Sequence, residues 1–82
     1  MSYSIYVIYN KQVKKIYIGQ TGNLKKRLLE HNNKKGNHYT AKFIGSWKLI
    51  YEEKYQTRKE SLKREKQLKS FRGREFIKKL II

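Results

Sequence analysis

The stretch KKIYIGQTGNLKKRLLEHN, residues 14–32, decides how the chain is read. Ile16-Tyr17-Ile18 is a short β-prone run that ends at Gly19. Thr21-Gly22-Asn23 then breaks the strand and supplies Asn23 as a helix N-cap. Leu24 and Leu28, four apart, start a helix that runs to about His31 or Asn32. Taking about 100° per residue from Leu24, Leu28 lies near +40°, His31 near −20° and Arg27 near −60°. Arg27 and His31 are therefore neighbours, one turn apart, on the stripe that should face the rest of the fold. One explanation is that Arg27 carries its charge outward and His31 caps the helix end against the dipole. The other is that both belong to a chemical site.

Outward from this segment the elements follow in order. Residues 3–9, Tyr-Ser-Ile-Tyr-Val-Ile-Tyr, read as a strand. Alternation puts Tyr3, Ile5, Val7 and Tyr9 on one face and Ser4, Tyr6 and Ile8 on the other. Asn10 to Lys14 is turn-like, so Lys15–Gln20 returns as the second strand of a hairpin. Asn32 to Asn37 reads as a loop and Trp47–Tyr55 as a third strand. Thr57-Arg58-Lys59-Glu60 is a capping box opening a helix to about Phe71, with Leu62 and Leu68 facing inward. Gly73 separates a last short helix, Arg74–Leu80. The order ββαβαα, with a small three-stranded antiparallel sheet flanked by helices, is an α+β arrangement. Eighty-two residues point to a single domain over residues 1–82.

Charge narrows the partner. Twenty-one Lys and Arg against six acidic residues give a net charge of +15. Such a surface seeks polyanions, with nucleic acid first, because neutralising phosphates releases counterions. A membrane surface would call for a basic amphipathic helix with a broad apolar face, and no run of about 18 apolar residues offers a span. Cysteine is absent, so disulfides and Cys-based zinc sites are excluded. A cytoplasmic protein fits, and no secretory signal is visible. All six acids are glutamates, which leaves a metal to one or two glutamates plus water and phosphate, a set suited to Mg²⁺.

Two further placements raise the same question as Arg27 and His31. Glu65 sits between Leu62 and Leu68, inside their stripe, where an ionised carboxylate needs a cation or hydrogen bonds. An ion pair with Arg or Lys is the structural explanation, and a metal ion is the functional one. Glu60 is accounted for by its cap, while Glu52 and Glu53 break up the basic surface and Glu30 and Glu75 face solvent. Of the seven tyrosines, Tyr3, Tyr9, Tyr51 and Tyr55 read as ordinary strand residues. Tyr6 and Tyr17 lie centrally in their strands and share one face across the hairpin. A helix packing Arg27 and His31 on that face would gather phenol, guanidinium and imidazole.

Ser4-Ile5-Tyr6 followed after ten residues by Tyr17-Ile18-Gly19 resembles the signature of the GIY-YIG nucleases, with serine for the first glycine. The likeness continues through Leu24 to Asn32, through Gly36, Tyr39-Thr40 and Trp47–Tyr51, and through Arg58 to Phe71 with Glu65. It is nearest to the small free-standing bacterial members. The resemblance implies a metal-dependent endonuclease that hydrolyses DNA phosphodiester bonds, double-stranded or branched. By position, Glu65 matches the glutamate that holds one Mg²⁺ or Mn²⁺, and Arg27 the arginine that stabilises the phosphate. Tyr6, Tyr17 and His31 match residues that help activate water. Gln20 stands where some repair-type members carry lysine, and no asparagine follows Asn37. The alternatives are a nucleic-acid-binding module that keeps the fold without catalysis, or a basic ribosome-associated protein. A protein partner stays open.

Overall fold

The computed structural model describes residues 2–32 and 42–81. Strand β1 (Tyr3–Asn10) pairs antiparallel with β2 (Lys15–Thr21) on one side and with β3 (Lys48–Tyr55) on the other. The sheet order is β2-β1-β3. Helices α1 (Leu24–Asn32), α2 (Arg58–Leu68) and α3 (Phe71–Ile81) complete the ββαβαα order. This is the α+β architecture expected from the sequence, with a radius of gyration of 12.4 Å. The loop expected from Asn32 to Asn37, and the matching segment around Gly36 and Tyr39-Thr40, lie outside the described residues beyond Asn32.

Residues Ser4 to Ile8 of β1 are all buried, because the central strand is covered on both faces. Alternation divides its side chains as the sequence indicates. Ile5 and Val7 pack with Ile18, Leu68 and Ile77, which places α2 and α3 on that face. Tyr6 and Ile8 pack with Trp47, and with Tyr17, Leu24, Leu28 and Phe43 around them, which places α1 on the other. The hairpin turn has Lys14 at φ 54°, a left-handed conformation uncommon outside glycine. The fully buried Asn10 ties this turn down: its Oδ1 accepts from the Gln12 and Val13 amides, and its Nδ2 donates to the Ile44 carbonyl at 2.7 Å.

The helix ends follow their caps. Asn23 Oδ1 accepts from the Lys26 amide at 3.1 Å. Thr57 Oγ1 accepts from the Glu60 amide at 3.2 Å, and the same hydroxyl donates to the Glu60 carboxylate at 2.8 Å. The reciprocal half of that cap thus runs through the hydroxyl and not through the Thr57 amide.

Three expectations on the C-terminal helices are corrected. Leu62 is 41% exposed, and the inner stripe of α2 is instead Ser61 and Leu68, both buried. A small serine there, donating to the Arg58 carbonyl, lets the helix lie close to the sheet. Helix α2 stops at Leu68 and not at Phe71, because Ser70 begins a new cap, its Oγ accepting from the Gly73 amide at 3.3 Å. Gly73 therefore lies inside α3 and does not separate two helices. A Cβ on Gly73 would collide with the Leu68 backbone and the Gln67 carbonyl, so the glycine is what permits α3 to pack against the end of α2.

This docking rests on Ile77, which is fully buried in the core, whereas Phe71 at the start of α3 is 78% exposed. Ile77→Ala is expected to cost about 2–5 kcal/mol, and Phe71→Ala to stay within about 0.5 kcal/mol. Urea unfolding monitored by circular dichroism checks both values.

Candidate active site

Local geometry on the α1 face starts from the pairing register. Tyr6 lies directly across from Gly19, and Tyr17 across from Ile8. The Tyr6 ring folds over the glycine: a Cβ on Gly19 would sit 2.5 Å from the Tyr6 hydroxyl oxygen and 2.9 Å from Tyr17 Cε1. The tripeptide needs glycine at this position because a phenol occupies the space a side chain would take. The resulting Tyr6–Tyr17 centroid distance is 6.2 Å.

Helix α1 delivers His31 onto this pair. Its Nε2 and the Tyr6 hydroxyl share a hydrogen bond of 2.9 Å, and its ring centroid is 5.0 Å from that of Tyr17. His31 is buried, so it does not act as a solvent-facing helix cap, and its polarity is satisfied by a phenol instead. Arg27, one turn earlier, pairs with Glu30 at 3.5 Å, both side chains being about a third exposed. Glu30 is accordingly an ion-pair partner of Arg27, and a pair this open to water contributes little to stability.

Burial pushes the Tyr6 phenol far above the ordinary phenol range, and the neighbouring Tyr17 adds to the rise. Arg27 works in the opposite direction, while the charges of Glu65 and Glu30 reinforce the effect. Tyr6 is therefore a neutral hydrogen-bonding group.

Glu65 occupies the inner stripe of α2, four residues after Ser61 and three before Leu68. Its side chain is 19% exposed and pairs with Lys69 at 3.6 Å. The five residues singled out from the sequence thus fall into two sets. Tyr6, Tyr17 and His31 are in mutual contact, while Arg27 and Glu65 are each paired with their own counter-ion. No group of three His, Asp or Glu side chains able to hold a metal exists among the described residues. The donor chemistry nevertheless fits a hard divalent ion: one partly buried carboxylate, balanced by a long ion pair to a half-exposed lysine, with water and phosphate oxygens for the remaining positions.

Some polar residues acquire roles that sequence reading did not assign. Glu53 is a hub and not a diluent of surface charge. It accepts from the Tyr51 and Tyr55 hydroxyls and from Arg64 Nε and Nη2 at 2.9 and 3.1 Å. Burial opposes its charge, but the bonds from Arg64, Tyr51 and Tyr55 outweigh it and hold the carboxyl below its usual range. The signal was present, since Tyr51, Glu53 and Tyr55 alternate on one strand face. Glu52 accepts from Ser4 Oγ at 3.1 Å, so the serine that replaces the first signature glycine is used. Asn32 clamps the backbone of Trp47, accepting from its amide at 2.7 Å and donating to its carbonyl at 3.1 Å.

A strand pair with phenols meeting over glycine is thus faced by a helix bearing Arg and His. Residues 2–78 match the model of the GIY-YIG catalytic domain, and the chain belongs to that family. It is 39% identical over 56 residues to a UPF0213 protein of Staphylococcus saprophyticus, covering 68% of this chain and 67% of the relative. A UPF0213 protein of Staphylococcus epidermidis is 36% identical over 63 residues, 77% of this chain and 76% of the relative. The solution NMR structure of a UPF0213 protein from Bacillus halodurans superimposes with a TM-score of 0.57 at 26% identity, covering 98% of this chain and 85% of that one. GIY-YIG domains are in general nuclease domains with nucleic-acid substrates and typically depend on a divalent metal. No helix among the described residues is long and apolar enough to cross a membrane.

Two measurements test the Tyr6 site. Gly19→Ala must displace a phenol, and is expected to destabilise by about 1–3 kcal/mol in a denaturant titration. The second concerns alkaline pH. With its folded pKa raised, Tyr6 keeps a proton that the unfolded chain releases near pH 10, so its contribution is complete below that pH and declines above it. Tyr51 and Tyr55, raised by their bonds to Glu53, act in the same direction. Stability measured from pH 8 upward should therefore fall beyond about pH 10, and Tyr6→Phe should make that fall shallower.

Proposed function

We propose that the chain is a metal-dependent endonuclease that hydrolyses DNA phosphodiester bonds. The observation that carries this reading is the contact of Tyr6, Tyr17 and His31 on one sheet face, with Arg27 one turn before His31. Hydrolysis of a phosphodiester needs a positioned water, a proton acceptor and positive charge on the phosphoryl oxygens. Arg27 supplies the charge: its pair with Glu30 is solvent-exposed, so a phosphate can compete for the guanidinium. Tyr17, half-buried beside the imidazole, orients the water. His31 assists removal of the proton, imidazole being a side chain able to accept one as a general base. Tyr6 keeps its own proton and holds His31 through Nε2, fixing the ring against Tyr17. This assigns the two signature phenols different tasks, one of positioning and one at the reacting water.

Glu65 would hold a Mg²⁺ or Mn²⁺ ion. When bound, such an ion acts as a Lewis acid toward phosphate oxygens and lowers the pKa of coordinated water. Lys69 is the residue that must yield its carboxylate partner for this, and an ammonium on a flexible stem can swing away.

The reading of a binding module without chemistry draws its support from the same ion pairs, because Arg27 and Glu65 are each already matched by a counter-ion. Purified protein incubated with nicked, branched, single- and double-stranded DNA, with Mg²⁺, Mn²⁺ or chelator, separates the two. Metal-dependent cleavage is expected. Glu65→Gln and Arg27→Ala should each lower it by at least about a hundredfold, in line with removal of one oxyanion-stabilising group, while salt-sensitive DNA binding persists. Equal cleavage by wild type and Glu65→Gln would remove the catalytic claim.

A further inference from the structure

Beyond the tyrosine–histidine cluster, a cavity of about 480 Å³ opens beside strand β2, lined by Lys15, Ile16, Tyr17, Ile18, Lys69, Arg74 and Lys78. Strand β2 is an edge of the sheet, so the cavity lies between an open strand and the α2–α3 corner. Four of its seven lining residues are cations. Lys69 is paired to Glu65 and Lys78 to Glu75, each at 3.6 Å. Lys15 lies 5.4 Å over the Phe43 ring, and neither Lys15 nor Arg74 has an ion pair among the described residues. Two carboxylates thus face four cations, and clustering unbalanced like charges opposes folding unless an anion joins them.

The geometry points to this cavity as a cradle for the phosphates of a DNA strand leading into the reacting site. The inference rests on the nuclease reading for its direction, because Tyr17 lines the cavity while touching His31 and Tyr6. Lys69 provides a second junction, since it lines the cavity and also pairs with Glu65. A basic groove with an aromatic and aliphatic floor is the arrangement that tracks a nucleic-acid backbone. An anionic small molecule would satisfy the charge equally, but it would not explain why Tyr17, which lines the cavity, also touches Tyr6 and His31. The cradle extends the substrate footprint to phosphates that are not cut, and so makes α3 a positioning element for DNA.

The test measures binding of a short fluorescein-labelled DNA duplex over a salt series, in the presence of chelator so that cleavage plays no part. Arg74→Gln/Lys78→Gln is compared with Lys54→Gln/Lys59→Gln, which removes the same charge from exposed positions outside the cavity. Each cation in contact with phosphate contributes about 0.9 to the log–log salt slope. The cavity double variant should lose between about one and two units of slope and bind at least about tenfold more weakly at low salt. The control double should lose less than half a unit, or about one-half of one contact. Thermal unfolding of both variants verifies that each is folded. Equal losses in the two doubles would overturn the cradle, and because no metal is present, that failure is separate from any failure to cleave.

Discussion

A central strand that must be buried on both faces governs this small molecule. Strand β1 has a helix-covered surface on either side, so the two-residue period of an extended chain is forced to serve two purposes. Ile5 and Val7 supply an apolar face for Leu68 and Ile77, while Tyr6 and Ile8 face α1 and Trp47. The apolar core and the tyrosine–histidine cluster are thereby separated by one residue step along the same strand. A one-residue slip of β1 would exchange the faces, and the buried hydroxyl of Tyr6 would then lie in an apolar core with no imidazole to meet it.

Most of the fold was legible because its signals are local. The strand alternation, Asn23 and Thr57 as caps, and the leucines of α1 all depend on neighbours within a turn or a pleat. The candidate site was legible in part for the same reason, since Arg27 and His31 were out of place on an apolar stripe. What sequence reading could not supply were contacts made between distant segments. Ser61 took the inward place expected of Leu62 because close packing favoured a small side chain. Gly73 resembled a helix breaker but serves as a contact point, which only the position of Leu68 reveals. Asn10 and Asn32 looked like turn and helix-end residues, and their bonds to Ile44 and Trp47 span more than a dozen residues.

Electrostatics show a similar division of labour. On the α2 face, Glu53 neutralises Arg64 and accepts two phenols, giving a fully satisfied polar network beside the core. On the α1 face, Arg27 and Glu30 form an open pair that a stronger anion can displace. In a chain of net charge +15, acids are scarce, and where they stand determines which cations are left without a counter-ion. Glu53 silences one arginine, whereas Lys15 and Arg74 line the cavity beside β2 with no ion pair among the described residues.

The Asn32 clamp has a consequence for how the two halves of the chain are joined. A carboxamide that both donates to and accepts from the Trp47 backbone imitates a rung of sheet, and it fastens the end of α1 to the start of β3. Phe43, packed on the Tyr6 cluster, and the Ile44 carbonyl, bonded to Asn10, carry the same fastening into the residues just ahead of Trp47. A helix end and a strand start are thus stitched to one sheet by carboxamides, with no charge spent on the seam.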